Sequence, residues 1–339
     1  MPSYILRRLF LMIPTFLGIT YVVYFILCKA PGGPLEQRLN QLQEEGRKKS
    51  GGRGDHIQLS PEQMAELRKY YGFSEPTANE YFSWLGRVLS GDLGYSNRFK
   101  KPVSEVIFDK ERIQIALIFG IFSFLIIYSV SLPMAVWKAK HHQSFFDSAS
   151  SMLMFAAYAI PGWVIGLMMI LFFASYLEIF PIGGFVSKNY SALSPWGQIK
   201  DIAWHMTLPL TAYVVSGFAS TIFLLKNSLM DNLAADYVRT ALAKGNTFNA
   251  ALWKHAFRNS IIPIAAGFGH YIGIFITGAL LIEKIFNLNG FGKLSLTAVE
   301  ARDYPLIMGM LVITSTALLI GNLLSDLCVA AVDPRVKFD

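Results

Sequence analysis

Apolar residues run uninterrupted by charge through six blocks: 9–28, 113–137, 149–177, 207–225, 262–282 and 306–325. None of the six contains Asp, Glu, Lys or Arg. Each is long enough to cross a hydrocarbon core of about 30 Å, which takes about 20 helical residues. Soluble cores rarely stay free of charge over such lengths. In lipid, a segment must satisfy its own backbone groups, so each block predicts a helix. The expected fold is an all-α membrane protein with six transmembrane helices.

Arg7 and Arg8 ahead of the first block would also suit a signal peptide, but the apolar run is long and no small-x-small cleavage site follows it. Residues 9–28 are read as an uncleaved first span. Composition agrees: the 339 residues are 53% hydrophobic and only 16% charged, against about 25% charged in soluble domains. The net charge of +7 is read through topology and not as a nucleic-acid surface. Basic residues gather in alternate short links: Lys138, Lys140, His141 and His142 after the second block, and Arg239, Lys244, Lys254 and Arg258 after the fourth. Arg7 and Arg8 precede the first block, and Arg335 and Lys337 follow the last. The positive-inside rule places these segments, and so both termini, in the cytoplasm.

The chain divides by pattern into 1–29 (N-terminus and first span), a periplasmic loop 30–112, a core 113–332 with a cytoplasmic link 226–261, and a tail 333–339. In the loop, Ser50–Asp55 has linker composition. Ser60-Pro61-Glu62 starts a helix ending at Gly72, with Ser60 as cap and Gln63 completing a capping box. A second helix over about 76–89 puts Tyr81, Trp84, Leu85 and Val88 on one face. That stripe either packs on the protein or docks a soluble partner, and packing is the commoner use.

The link 226–261 is too long for a turn. Asp231 or Asn232 is expected to cap a helix from Leu233 to Lys244, with Gly245 as left-handed C-cap. Asn246 or Thr247 is expected to cap a second helix from Phe248 to about Asn259. Tyr237, Val238, Ala241, Leu242, Phe248, Leu252, Trp253 and Phe257 make the pair more apolar than a solvated hairpin needs, which points to a protein partner.

At this link, Asp236-Tyr237-Val238-Arg239-Thr240-Ala241-Leu242-Ala243-Lys244-Gly245, followed by Trp253-Lys254-His255-Ala256-Phe257-Arg258-Asn259, resembles the coupling loop of permeases in bacterial ATP-binding-cassette importers. More narrowly it is similar to the branch that carries oligopeptides, dipeptides and nickel. Further motifs match that branch along the chain: Ala30-Pro31-Gly32-Gly33-Pro34, Ser90-Gly91-Asp92-Leu93-Gly94-Tyr95-Ser96, Gly290-Phe291-Gly292, Arg302-Asp303-Tyr304-Pro305 and Asp333-Pro334-Arg335. Trp204-His205-Met206-Thr207-Leu208-Pro209 and Leu252-Trp253-Lys254-His255 look most like the Yej-type subgroup, associated with import of peptides and the peptide-nucleotide antibiotic microcin C.

The resemblance implies a type I importer permease fold in the bacterial inner membrane. It implies that Asp236, Tyr237, Arg239, Thr240, Ala241, Lys244 and Gly245 couple the chain to an ATPase. Implied partners are a second, homologous permease, one or two cytoplasmic ATPase subunits that bind ATP and Mg, and a periplasmic peptide-binding protein contacting 60–112 and 283–305. The chain itself is expected to hold no cofactor and to catalyse no reaction.

No catalytic motif competes with this reading. Gly292-Lys293 lacks the first glycine and the Ser or Thr of a phosphate loop. Ion-coupled transporters keep carboxylates in their spans. Here the spans carry none, and His270 is the one titratable group deep in a span. Glycines stud the fifth block. Most are read as helix packing, and Gly267, Gly273 and Gly278, with His270, are candidates for the wall of a substrate path. Pro161, with Gly162 and Gly166, is expected to interrupt the third block.

Overall fold

A computed structural model describes residues 2–30, 78–269, 273 and 278–333. The expected linker 50–55 and helix 60–72 lie outside the described residues, as does His270.

The described chain is mostly helical, with one small hairpin. Helix α1 runs Pro2–Lys29, and α2 runs Ala78–Leu89. Strands β1 (Tyr95–Ser96) and β2 (Lys101–Pro102) pair antiparallel, and α3 (Val103–Ile107) follows. Helix α4 is Lys110–Lys140; a bent pair follows, α5 (Phe145–Ala159) and α6 (Gly162–Tyr176). Helix α7, Pro195–Ala234, is 40 residues long. Helix α8 is Asp236–Ala243. The next helix, α9, spans 248–260, with a π-helical turn at Leu252–Ala256. Then come α10 (Ile262–Ala266), α11 (Leu280–Ile285), α12 (Phe291–Glu300) and α13 (Tyr304–Val332).

Among the described residues, α1, α4, α7 and α13 are each long and apolar enough to cross a membrane, and the α5–α6 pair makes a fifth candidate. The expected fifth block, 262–282, lies partly outside the described residues. The break in the third block is where the sequence places it. Pro161 has no N–H and pushes Ile160 into extended backbone (φ −91°, ψ 123°), so the two arms meet at 91°. Large apolar side chains stay exposed along these helices, among them Phe10, Ile13, Met152, Leu153, Leu171 and Phe172. Such outward faces suit a hydrocarbon solvent and not water.

The chain packs as two units, 1–8 with 110–293 and 317–339, and 9–109 with 294–316. In the larger, α7 lies along α4, α5 and α6. One core gathers Phe119, Ile170, Met206, Ala212 and Phe286; a second gathers Val136, Ile222, Leu225, Leu229 and Leu252. Arg8 and Asp326 form an ion pair at 3.0 Å.

In the smaller unit, the stripe of α2 is used internally. Tyr81 and Trp84 are 3% and 4% exposed and pack with Tyr24, Met308 and Val312. Thr20 and Tyr81 hydroxyls lie 2.9 Å apart. This face is therefore core and offers no docking platform. In the same unit the two motifs at 90–96 and 302–305 meet. The Asp303 carboxylate is 1% exposed and accepts from the Ser96 hydroxyl (2.5 Å) and the Arg98 N–H (3.0 Å).

Candidate functional site

The segment after α7 forms two short helices, as its pattern predicts, with one difference in register. The first helix starts at Asp236, not Leu233. Asn232 does not cap it, because its side-chain amide donates back to the Ser228 carbonyl at 2.7 Å, inside α7. Ala235, extended at ψ 150°, makes the break instead. Asp236 then stands in the first turn, where a carboxylate suits the helix dipole.

The stop is as expected. Gly245 has φ +88°, a conformation that costs an L-residue about 1–2 kcal/mol. Its N–H bonds the Leu242 carbonyl, and the Asn246 N–H bonds that of Ala241. Thr247 caps α9, its hydroxyl accepting from the Ala250 N–H at 3.3 Å.

This hairpin has an inside and an outside. Val238, Ala251 and Ala256 form its own small core, with Ala241 buried beside them. Leu252 is fully buried in the larger core with Leu225 and Leu229 of α7. Part of the apolar content that singled out this segment is thus consumed within the fold. Tyr237, Leu242, Phe248 and Trp253 remain 37–50% exposed.

Of the seven residues implicated by resemblance, Asp236, Tyr237, Arg239, Thr240, Lys244 and Gly245 are exposed, and Ala241 is buried. Asp236 and Arg239 approach at 3.6 Å on an open face, an arrangement that contributes little to stability. The Tyr237 hydroxyl donates to the Asn232 side chain at 2.5 Å, tying α8 to the end of α7.

Beneath the hairpin lies an ion cluster that the sequence pattern does not announce. Lys226 Nζ of α7 sits 2.7 and 2.8 Å from the two carboxylate oxygens of Asp147 on α5. Lys138 of α4 is 3.0 Å from Asp147 and also donates to the Ser150 and Ser151 hydroxyls and the Asp147 carbonyl. Lys138 is fully buried, so it is not the solvated link cation that the topology count assumes. The available signal was position: Asp147 and Lys226 each stand at the edge of a charge-free block.

The candidate path residues have separate settings. Gly267 caps α10, and Gly273 has no atom within 4 Å of an added Cβ among the described residues. Gly278, at φ +68°, lies against the Glu283 carboxylate with Gly290 and Gly292. Glu283 is 1% exposed and accepts from the N–H groups of Ala279 and Lys293 at 3.0 and 2.8 Å. Burial pushes its carboxyl above the ordinary range, opposed by those N–H groups and by Arg112.

Long apolar helices with an outward-facing apolar surface define a multi-pass membrane protein, and it carries one short exposed hairpin seated on a buried base. The chain belongs to the family described as binding-protein-dependent transport system inner membrane component, whose model matches residues 131–338. It is a multi-pass permease component of the bacterial inner membrane. It is similar to "Inner membrane ABC transporter permease protein YejB" of Escherichia coli O157:H7, 39% identical with 100% of each chain covered. "Peptidoglycan transport system permease protein YejB" of Agrobacterium fabrum is 38% identical over 100% of this chain and 99% of the relative. "Oligopeptide transport system permease protein AppB" of Bacillus subtilis is 33% identical over the full length of both.

Proposed function

We propose that the chain is one of two permease subunits of an ATP-driven importer of oligopeptides, microcin C-like peptides among them. It would cross the membrane six times with both termini in the cytoplasm. A second permease completes the path, ATPase subunits bind and hydrolyse ATP, and a periplasmic peptide-binding protein delivers cargo. The chain gates the path and performs no catalysis. The names of the relatives support the substrate class, since peptide transport recurs among them.

One observation carries the reading: the exposed helix α8 is joined to a buried base. A displacement of α8 passes through Val238, Ala251 and Ala256 into α9. From there it reaches α7 and α4 through the core around Leu252. Asp236, Tyr237, Arg239, Thr240, Lys244 and Gly245 present the surface to the ATPase, and Ala241 holds the hairpin closed behind them.

The test is Gly245→Val in the intact transporter. No atom lies within 4 Å of the added Cβ, so within this chain the change acts through the backbone conformation at φ +88°. ATP hydrolysis without peptide uptake is the expected result. Uptake at the normal rate overturns the role of the hairpin. Uptake that persists when the ATPase subunit is deleted, with the proton gradient intact, overturns the ATP-driven reading.

A further inference from the structure

We propose that the groove between the C-terminal part of α4 and α9 is a binding site for an anionic phospholipid. The groove has a volume of about 380 Å³ and is lined by Leu132, Pro133, Val136, Trp137, Lys140, Trp253 and Phe257. Such a volume lies within the range of about 300–1,000 Å³ found for small-molecule sites. Its walls are built from helix periodicity. Residues 132, 133, 136, 137 and 140 recur on one face of α4, and 253 and 257 on one face of α9.

The lining is apolar with a single cation, Lys140, which is half-buried and has no ion pair among the described residues. Trp137 and Trp253 are 41% and 50% exposed. Trp137 is braced edge-on by Phe146, and Trp253 leans on Phe257. The walls are therefore set before anything enters.

Charge selects the occupant. Neither 132–146 nor 244–260 contains an Asp or Glu. Lys254 and Arg258 are exposed on α9 beside the groove residues Trp253 and Phe257. Asp147, which follows this stretch at the start of α5, is already held by Lys138 and Lys226, and Arg258 reaches the Val332 carbonyl at 3.5 Å. An apolar slot with amphipathic rings and an uncompensated cation at its rim fits an acyl chain beneath a negatively charged headgroup. Basic pockets between spans at the cytoplasmic side and tryptophans at the membrane interface recognise lipids in this way. This placement uses the topology proposed above.

Photolabelling of the complete transporter in nanodiscs tests the assignment. The probes are phosphatidylglycerol and phosphatidylcholine, each with a photoreactive acyl chain, at equal mole fraction. Labelled peptides are then mapped by mass spectrometry. The anionic probe is expected to label 132–140 and 253–257 severalfold more than the zwitterionic one. Lys140→Gln should lower the anionic labelling about fivefold, the worth of one cation at a membrane surface, and leave the zwitterionic labelling unchanged. Trp253→Glu, at an exposed position, should abolish both.

Equal labelling by the two probes would mean ordinary surrounding lipid and overturn the proposal. No labelling of these peptides would mean that another subunit covers the groove, which also overturns it. Labelling does not depend on uptake, so failure of the importer reading and failure of the lipid site are separately visible.

Discussion

The ammonium of Lys226 on α7 meets both oxygens of the Asp147 carboxylate on α5, at 2.7 and 2.8 Å. Lys138 on α4 shares the same carboxylate, so one anion fastens three helices just below the projecting hairpin. The cluster contains two cations and one anion, and Lys138 has no exposed surface. A buried group of this kind is worth little against a well-packed apolar replacement. Its loss of one partner is severe.

Asp147→Ala is therefore expected to cost about 3–5 kcal/mol, because two enclosed ammonium groups lose their anion. Thermal unfolding of the purified protein in mild detergent measures it. The combined replacement of Asp147 by Leu with Lys138 and Lys226 by Met should recover most of the loss. A single Asp147→Ala variant as stable as the parent would show that the cluster is wet and weak.

Asp303 makes a second prediction, in the smaller unit. Its carboxylate holds the β1–β2 hairpin through Ser96 and Arg98, and it also accepts from the Leu306 N–H at the start of α13. Hydrogen bonds to a charged acceptor contribute about 1.5–3 kcal/mol each. Asp303→Ala should release the hairpin and speed trypsin cleavage after the exposed Lys100. Asp303→Asn, which keeps one acceptor oxygen, should fall between. An unchanged cleavage rate would mean that the hairpin is held by something else.

The sequence made the helices legible because lipid leaves the backbone so few choices. The helices at blocks 9–28, 113–137, 149–177, 207–225 and 306–325, the Pro161 break and the Gly245 stop all follow from local rules. One misreading and one choice left open share a cause. Helix start at Asp236 and not Leu233 depends on where the Asn232 amide points. The fate of the α2 stripe depends on Tyr24 and Met308, which are remote in sequence. The ion cluster escaped notice for the same reason. Lys138, Asp147 and Lys226 look like three link residues until α4, α5 and α7 bring them together. The motif residues 90–96 and 302–305 were recognisable as words, but only tertiary contact explains why Ser96 and Asp303 occur in them.

Glu283, just past the fifth apolar block, gives a pH prediction. Burial raises its carboxyl above the ordinary range, and the N–H groups and Arg112 pull the other way without cancelling the shift. A raised value in the folded state means that the protonated acid fits the fold better. Its contribution to stability is complete below the ordinary carboxylate range and is lost as pH rises through the raised value. The unfolding midpoint in mild detergent should fall as pH rises across that interval. Glu283→Gln should flatten the profile. A midpoint that climbs with pH in the parent protein, by an amount that Glu283→Gln removes, would reverse the assignment.

The glycines of the fifth block separate packing from passage. Gly269 faces Gly321 of α13 so closely that an added Cβ would overlap the Gly321 carbonyl, and its N–H bonds the Ser325 hydroxyl at 2.6 Å. Backbone cannot retreat as a side chain does, so Gly269→Ala should destabilise by at least the about 1–3 kcal/mol of ordinary overpacking. Gly273 has open space where a side chain would go, among the described residues. Gly273→Ala should leave the unfolding midpoint unchanged or slightly raised, as a helical glycine replaced by alanine gains about 1 kcal/mol. If Gly273 lines the peptide path, Gly273→Leu should slow uptake in reconstituted vesicles with no fall in midpoint. A parallel fall in both would assign Gly273 to packing, alongside Gly269.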